Sequence, residues 1–108
     1  MINITIYINK SNNYVGFKAH GHAGMAESGQ DIVCAAASVL MINTINAIDE
    51  FTEDAFSSLS DETDATIEFT MNGKPSRDTD LLLKTMVLGL RTIAQDYKKY
   101  INLKFEEV

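Results

Sequence analysis

The sequence has one cysteine, one proline and no tryptophan, and it is short of positive charge. A single cysteine excludes an intramolecular disulfide and is typical of a protein that stays in a reducing compartment. Nine lysines and arginines against fifteen aspartates and glutamates give a formal charge of −6. Because a nucleic-acid-binding protein needs a basic surface that displaces phosphate counterions, this balance argues against nucleic acid and favours a basic or neutral partner.

Long apolar segments are also lacking. No continuous apolar run approaches the roughly 18 residues of a membrane span, and residues 1–10 alternate instead of forming the apolar core of a signal peptide. There is no low-complexity tract and no internal repeat that would indicate a second domain. With 108 residues, of which 45% are hydrophobic, we expect one small cytoplasmic domain over residues 1–108 that has its own core and does not associate with a membrane.

Hydrophobic periodicity predicts seven elements in the order ββαββαβ. Isoleucines at every second position from Ile2 to Ile8 indicate a half-buried strand, and residues 11–13 supply a turn to the next strand. The predicted strands span 2–8, 14–22, 55–59, 65–71 and 101–105, and the predicted helices span 31–51 and 77–99. The strand at 55–59 carries the weakest pattern. The fold class is therefore α+β, with a mixed or antiparallel sheet packed on two helices.

The two predicted helices differ in how their apolar residues are arranged. The first has apolar side chains around most of its circumference, which predicts burial on more than one side. The second, with Ser76 as N-cap, has one main apolar arc and a further pair, Leu81 and Leu88, roughly opposite. One buried face does not account for that pair, so we expect a twofold homodimer that covers it. Alternatively, the two leucines are scattered exposed residues of an ordinary kind.

Cys34 and His22 form the candidate chemical pair. With Asp31 as N-cap, Cys34 falls at position N3 of the first turn, where unpaired N–H groups and the helix dipole favour a thiolate and an oxyanion. His22 ends a predicted strand, and the glycine-bearing loop 23–30 can bring its imidazole to the sulfur as a general base. The loop is then a candidate lid. The alternatives are a buried structural cysteine, a surface histidine and an ordinary loop.

Two further residues have open roles. A carboxylate at Asp31 opposes a nearby thiolate, so Asp31 either caps the helix, orients His22 or orients the loop backbone. Ser38 lies one turn beyond Cys34 on the same helix face, where it lines the site or contacts the backbone one turn back.

The segments GHAG at 21–24 and DIVCAAAS at 31–38, with the glycine-bearing loop between them, resemble the ribosomal-processing cysteine proteases of the Prp family. The resemblance extends to 82–97 and 101–105 and so covers nearly the whole chain. It implies a cytoplasmic, homodimeric cysteine endopeptidase that removes the amino-terminal extension of large-subunit ribosomal protein number twenty-seven. It places the catalytic histidine on His22, the nucleophile on Cys34 and the motif aspartate on Asp31. We take Gly21 and Ser38 as supporting residues, and His20 receives no role.

Two other functions are open at this point. The acidic chain would also suit a non-catalytic binding module for a basic ribosomal protein. His20, His22 and Cys34 offer imidazole and thiolate ligands to zinc, but three ligands are too few for a closed structural site. We therefore expect no metal and no other cofactor.

Overall fold

The computed structural model describes residues 1–21, 28–61, 63 and 65–108, with residues 28–31 described by their backbone. His22 and residues 23–27 of the predicted loop lie outside the described residues.

One five-stranded mixed sheet and two helices make up the described fold. The sheet order is β3-β4-β2-β1-β5; β1 pairs in parallel with β5, and the other neighbours pair antiparallel. The elements are β1 (Ile2–Ile8), β2 (Tyr14–His20), α1 (Ser28–Phe51), β3 (Phe56–Asp61), β4 (Thr66–Met71), α2 (Arg77–Asp96) and β5 (Ile101–Glu107). The predicted fold class and the order ββαββαβ are confirmed.

The core lies between one face of the sheet and the helices. Ile2, Ile4 and Ile6 are all buried, as the alternation in β1 predicts. Phe69 on β4 is fully buried, and its ring lies 5.4 Å from that of Phe17 on β2. The opposite face of the sheet therefore remains available to solvent.

The start of α2 is fixed by a capping network. Ser76 is the N-cap, as predicted, and its hydroxyl accepts the backbone N–H of Thr79 at 3.3 Å. Asp54, which precedes β3, in turn accepts the N–H of Ser76 at 2.8 Å. The hydroxyl of Thr79 and the N–H of Ser76 hold the pKa of Asp54 below its ordinary value, because both stabilise the charged carboxylate. The network ties the end of the α1–β3 connection to the start of α2.

The start of α1 differs from the prediction. The helix begins at Ser28, so Asp31 is its fourth residue and not its N-cap, and Cys34 is its seventh residue and lies in the second turn. Aspartate is also favourable inside the first turn, where its carboxylate faces the positive end of the helix dipole. The presence of an aspartate therefore does not distinguish the N-cap position from a position inside the first turn.

The expectation that α1 is buried on more than one side is wrong for a single chain. Val33, Ala37, Met41 and Ile48 form one buried stripe, spaced mostly by three or four residues. Val39 is 65% exposed, and other apolar residues of this helix remain in solvent: Ile32, Ile42 and Phe51. The sheet packs on one side of the helix and α2 contacts it at Leu40, and neither element covers these exposed residues.

By length and composition, the stretch Ile32–Phe51 could cross a membrane, with a mean hydropathy of 1.7 and 28% of its 18-residue window buried. A core helix of a soluble protein meets the same two criteria. The buried stripe of α1 packs into the core formed by the sheet, which is the position of a core helix.

Candidate active site

Gly21 follows directly after β2 and has a backbone conformation that another residue would rarely adopt. Its φ is +108°, and a Cβ at this position would overlap the carbonyl oxygen of Met1. Only glycine combines a positive φ with so close an approach to another backbone. Gly21 thus fixes where the chain leaves the sheet immediately before His22, which itself lies outside the described residues.

Cys34 is half-buried and lines a cavity of about 270 Å³ between α1 and the sheet. Ser38, one turn further along α1, and Gly21 line the same cavity. The structure therefore brings together three of the five predicted site residues. The side chain of Asp31 lies outside the described part of the chain.

The cavity wall is mostly apolar, with a polar rim on the sheet side. Apolar side chains come from both layers: Ile2, Ala19, Ala37, Met41, Ile42 and Ile67. The polar residues from the β3–β4 hairpin are Ser60, Asp61 and Thr66, and the Asp61 carboxylate accepts the N–H of Thr63 at 2.9 Å. An extended apolar segment with a polar backbone would match such a lining.

The hairpin residues were missed in the sequence because they are distant from Cys34 along the chain. The pattern at 55–59 predicted only a weak strand that ended before Ser60. The alternation at 65–71 placed Ile67 on the same face as Phe69, which was the one available signal. Nothing local to the sequence indicates that this hairpin lies opposite the start of α1.

His20 belongs to a different surface. Its Nδ1 lies 3.1 Å from the hydroxyl oxygen of Thr66, and the side chain is exposed. It lines a separate polar depression with Lys18 and Lys104 on the face of the sheet away from the helices. Within the described residues, His20 and Cys34 therefore line separate depressions, and no group of three potential metal ligands is found there.

The second-turn position of Cys34 changes the expected electrostatics. Only the first four N–H groups of a helix lack a partner within it, and in α1 these belong to residues 28–31. The dipole effect also weakens beyond the first turn. The N–H groups and the dipole at the start of α1 therefore act less strongly on Cys34 than the predicted N3 position implied.

The family model described as Cysteine protease Prp matches residues 1–102 of this sequence. The chain belongs to the cysteine protease Prp family. The ribosomal processing cysteine protease Prp of Bacillus subtilis is 32% identical over 109 residues, covering 95% of this chain and 96% of the relative. The Prp of Staphylococcus aureus is 29% identical over 106 residues, covering 98% of this chain and all of the relative.

A solved Prp structure has the same architecture. The crystal structure of the essential Prp from S. aureus in complex with a substrate peptide superposes with a TM-score of 0.92 at 28% identity, over 98% of this chain and 100% of that one. A second S. aureus Prp structure carries a covalently linked product peptide and gives a TM-score of 0.88. This chain is therefore a cysteine protease of the ribosomal-processing Prp family, and the purely non-catalytic binding module is excluded.

Proposed function

We propose that this chain is a cysteine endopeptidase in which Cys34 is the nucleophile and His22 the general base. The observation that carries the proposal is that a cysteine protease requires a thiol, and this sequence has one cysteine. That cysteine is half-buried at the wall of a cavity instead of lying within the core. The residue type and its accessibility are those of a nucleophile.

The reaction follows from the chemistry of a thiol and an imidazole. His22 removes the proton from the Sγ of Cys34, and the sulfur attacks the carbonyl carbon of the scissile peptide bond. The tetrahedral intermediate collapses to a thioester as the imidazolium protonates the departing amine. Water, deprotonated by His22, then attacks the thioester and releases the carboxylic acid product and the free thiol. Gly21 positions His22, and the Ser38 hydroxyl contacts the bound peptide from the wall of the cavity.

The substrate of this proposal is the amino-terminal extension of large-subunit ribosomal protein number twenty-seven. Support comes from the family, whose relatives are named as ribosomal-processing proteases, and from the mostly apolar cavity beside Cys34. The net charge of −6 favours approach to a basic ribosomal protein over approach to nucleic acid.

The surrounding assembly is part of the same proposal. We take residues 1–108 to act as one cytoplasmic protease domain, without a metal or membrane contact, and as a homodimer. The exposed apolar residues of both helices support the dimer, since Leu81 is 61% and Leu88 65% exposed. A twofold interface would cover such a patch with its own copy.

Incubation with ribosomal proteins tests the substrate. Wild-type protein should convert the precursor of ribosomal protein number twenty-seven into two products whose masses sum to the precursor plus one water. Cys34→Ser should give no products, because an alcohol is far less acidic than a thiol and a weaker nucleophile. Products from a different ribosomal protein alone would leave the protease assignment standing and refute this substrate.

A further inference from the structure

Strand β3 forms one edge of the sheet, and the pattern of its hydrogen bonds shows which groups point outward. It pairs antiparallel with β4 in an unbroken register, and no other strand of the described chain pairs with it. The N–H of Asn72 bonds the carbonyl of Ala55 at 3.0 Å. Because bonded and non-bonded positions alternate along an antiparallel ladder, Phe56, Ser58 and Ser60 direct both their N–H and C=O groups to the free edge.

Within the described part of the chain, this edge has few of the features that usually prevent edge pairing, and its one charged residue, Asp61, is the last of the strand. Its sequence, FSSLSD, contains no lysine and no proline, and its register has no bulge. The opposite edge strand, β5, has Lys104, Glu106 and Glu107, and charges of this kind discourage another strand from adding. An unprotected edge is expected where pairing with another chain is functional.

The end of the free edge of β3 lies at the cavity that Cys34 lines. Ser60 lines the same cavity as Cys34. The outward-bonding residues of β3 have their side chains on the helix side of the sheet, since the ring of Phe56 lies 5.1 Å from that of Phe69 in the core. Ser58 is nevertheless exposed, so α1 does not cover this part of the sheet. A strand added here would lie beside the cavity.

We propose that the substrate binds as an additional strand on the free edge of β3, which delivers its scissile bond to Cys34. The inference rests on the proposed function and adds its mode of recognition. The substrate strand would lie about 4.8 Å from β3 and exchange backbone hydrogen bonds with Ser58 and Ser60. Alternate substrate side chains would then point to the helix side and enter the apolar cavity, while backbone pairing would supply affinity that does not depend on sequence.

Proline at position 58 tests the proposal. The Ser58 N–H does not bond β4, so Ser58→Pro removes an outward donor without breaking the existing ladder. Glu107→Pro on the opposite edge strand is the matched control. The N–H of Val108 bonds the carbonyl of Ile8 on β1. Because inward and outward N–H groups alternate along a strand, the N–H of Glu107 points away from β1 and proline breaks no existing bond there. With a peptide that spans the junction between the amino-terminal extension and the rest of ribosomal protein number twenty-seven as substrate, Ser58→Pro should lose about tenfold or more in kcat/KM, mainly through KM. Glu107→Pro should stay within about twofold of wild type, and iodoacetamide should alkylate Cys34 equally fast in both.

Amide hydrogen exchange gives a second readout that needs no change in β3. In the Cys34→Ala variant, saturating uncleaved peptide should slow exchange at the Ser58 and Ser60 amides by about tenfold or more. The Leu59 amide, which already bonds Glu68 within the ladder, should change much less and serves as the internal reference.

The outcomes separate this inference from the function on which it rests. Equal kcat/KM for the two proline variants, or bound peptide without protection at Ser58 and Ser60, overturns strand pairing while cleavage by wild type still stands. The same amides could instead become protected without peptide, to an extent that rises with protein concentration. That result would mean that the edge of β3 pairs with a second copy of the chain, and it also overturns the inference. A wild-type protein that does not cleave the peptide overturns the proposed substrate, and the inference with it.

Discussion

Replacing Gly21 by alanine should lower both the stability of the fold and the rate of cleavage. Gly73 is the reference, because Gly73→Ala measures the cost of a positive φ without a steric overlap. Gly73 has a φ of +126° and only open space within 4 Å of the point where a Cβ would lie, whereas a Cβ at Gly21, with φ +108°, overlaps the Met1 carbonyl. Positive φ alone costs an L-residue roughly 1–2 kcal/mol, which is the expected effect of Gly73→Ala. Overpacking against a backbone atom adds roughly 1–3 kcal/mol, so Gly21→Ala should lose about 2–5 kcal/mol.

Thermal unfolding and peptide cleavage measure the two consequences. At roughly 4 °C per kcal/mol for a chain of this size, Gly21→Ala should melt about 4–12 °C below Gly73→Ala. If the backbone moves to relieve the overlap, part of this loss appears instead as reduced cleavage, because the displaced segment leads into His22. Gly73→Ala should retain full cleavage. Equal melting temperatures together with equal cleavage by the two variants would refute the argument for Gly21.

Three further predictions concern other parts of the chain. His22→Ala should lower turnover by roughly 10²- to 10⁴-fold, whereas His20→Ala should have a much smaller effect; similar losses in a peptide-cleavage assay would contradict the assignment of His22. The pKa of Asp54 is lowered, so its stabilisation is present above its unfolded pKa of 3.8 and is lost as the pH falls through the folded value. Asp54→Ala should therefore lower the free energy of unfolding in urea at pH 7 by at most about 1 kcal/mol, and the difference from wild type should disappear in strong acid; a difference that persists there refutes the carboxylate's role. Leu81→Glu combined with Leu88→Glu should sediment as a monomer, and a double variant that stays dimeric would remove both residues from the interface.

Local periodicity was sufficient to predict most of the fold. The isoleucine alternation that predicts β1 and the serine that predicts the start of α2 are both patterns within a few residues of sequence. Both elements begin where predicted. The start of α1 was wrong because Ser28 and Asp31 are both acceptable near a helix start. The end of α2 at Asp96, three residues before the predicted Lys99, is a similar ambiguity of boundaries.

The candidate site could be predicted on its helix side and at Gly21, but not on the β3–β4 hairpin. Cys34 and Ser38 are one turn apart on α1, and their common face follows from helical geometry. Ser60 and Thr66 reach the same cavity through the pairing of β3 with β4 and of β4 with β2, which brings together residues that are far apart in the sequence. Such long-range pairing is specified by the packing of the whole sheet and not by any short segment.

The mass of the enzyme during turnover tests the central claim, that Cys34 is the nucleophile, most directly. Wild-type protein mixed with a peptide that spans the end of the amino-terminal extension and quenched in acid should contain an adduct equal to the amino-terminal fragment minus one water. Peptide mapping should locate that adduct on Cys34 as a thioester, which hydroxylamine removes. In the same experiment Cys34→Ala should show neither adduct nor cleavage products. Cleavage by Cys34→Ala at the wild-type rate would contradict the account.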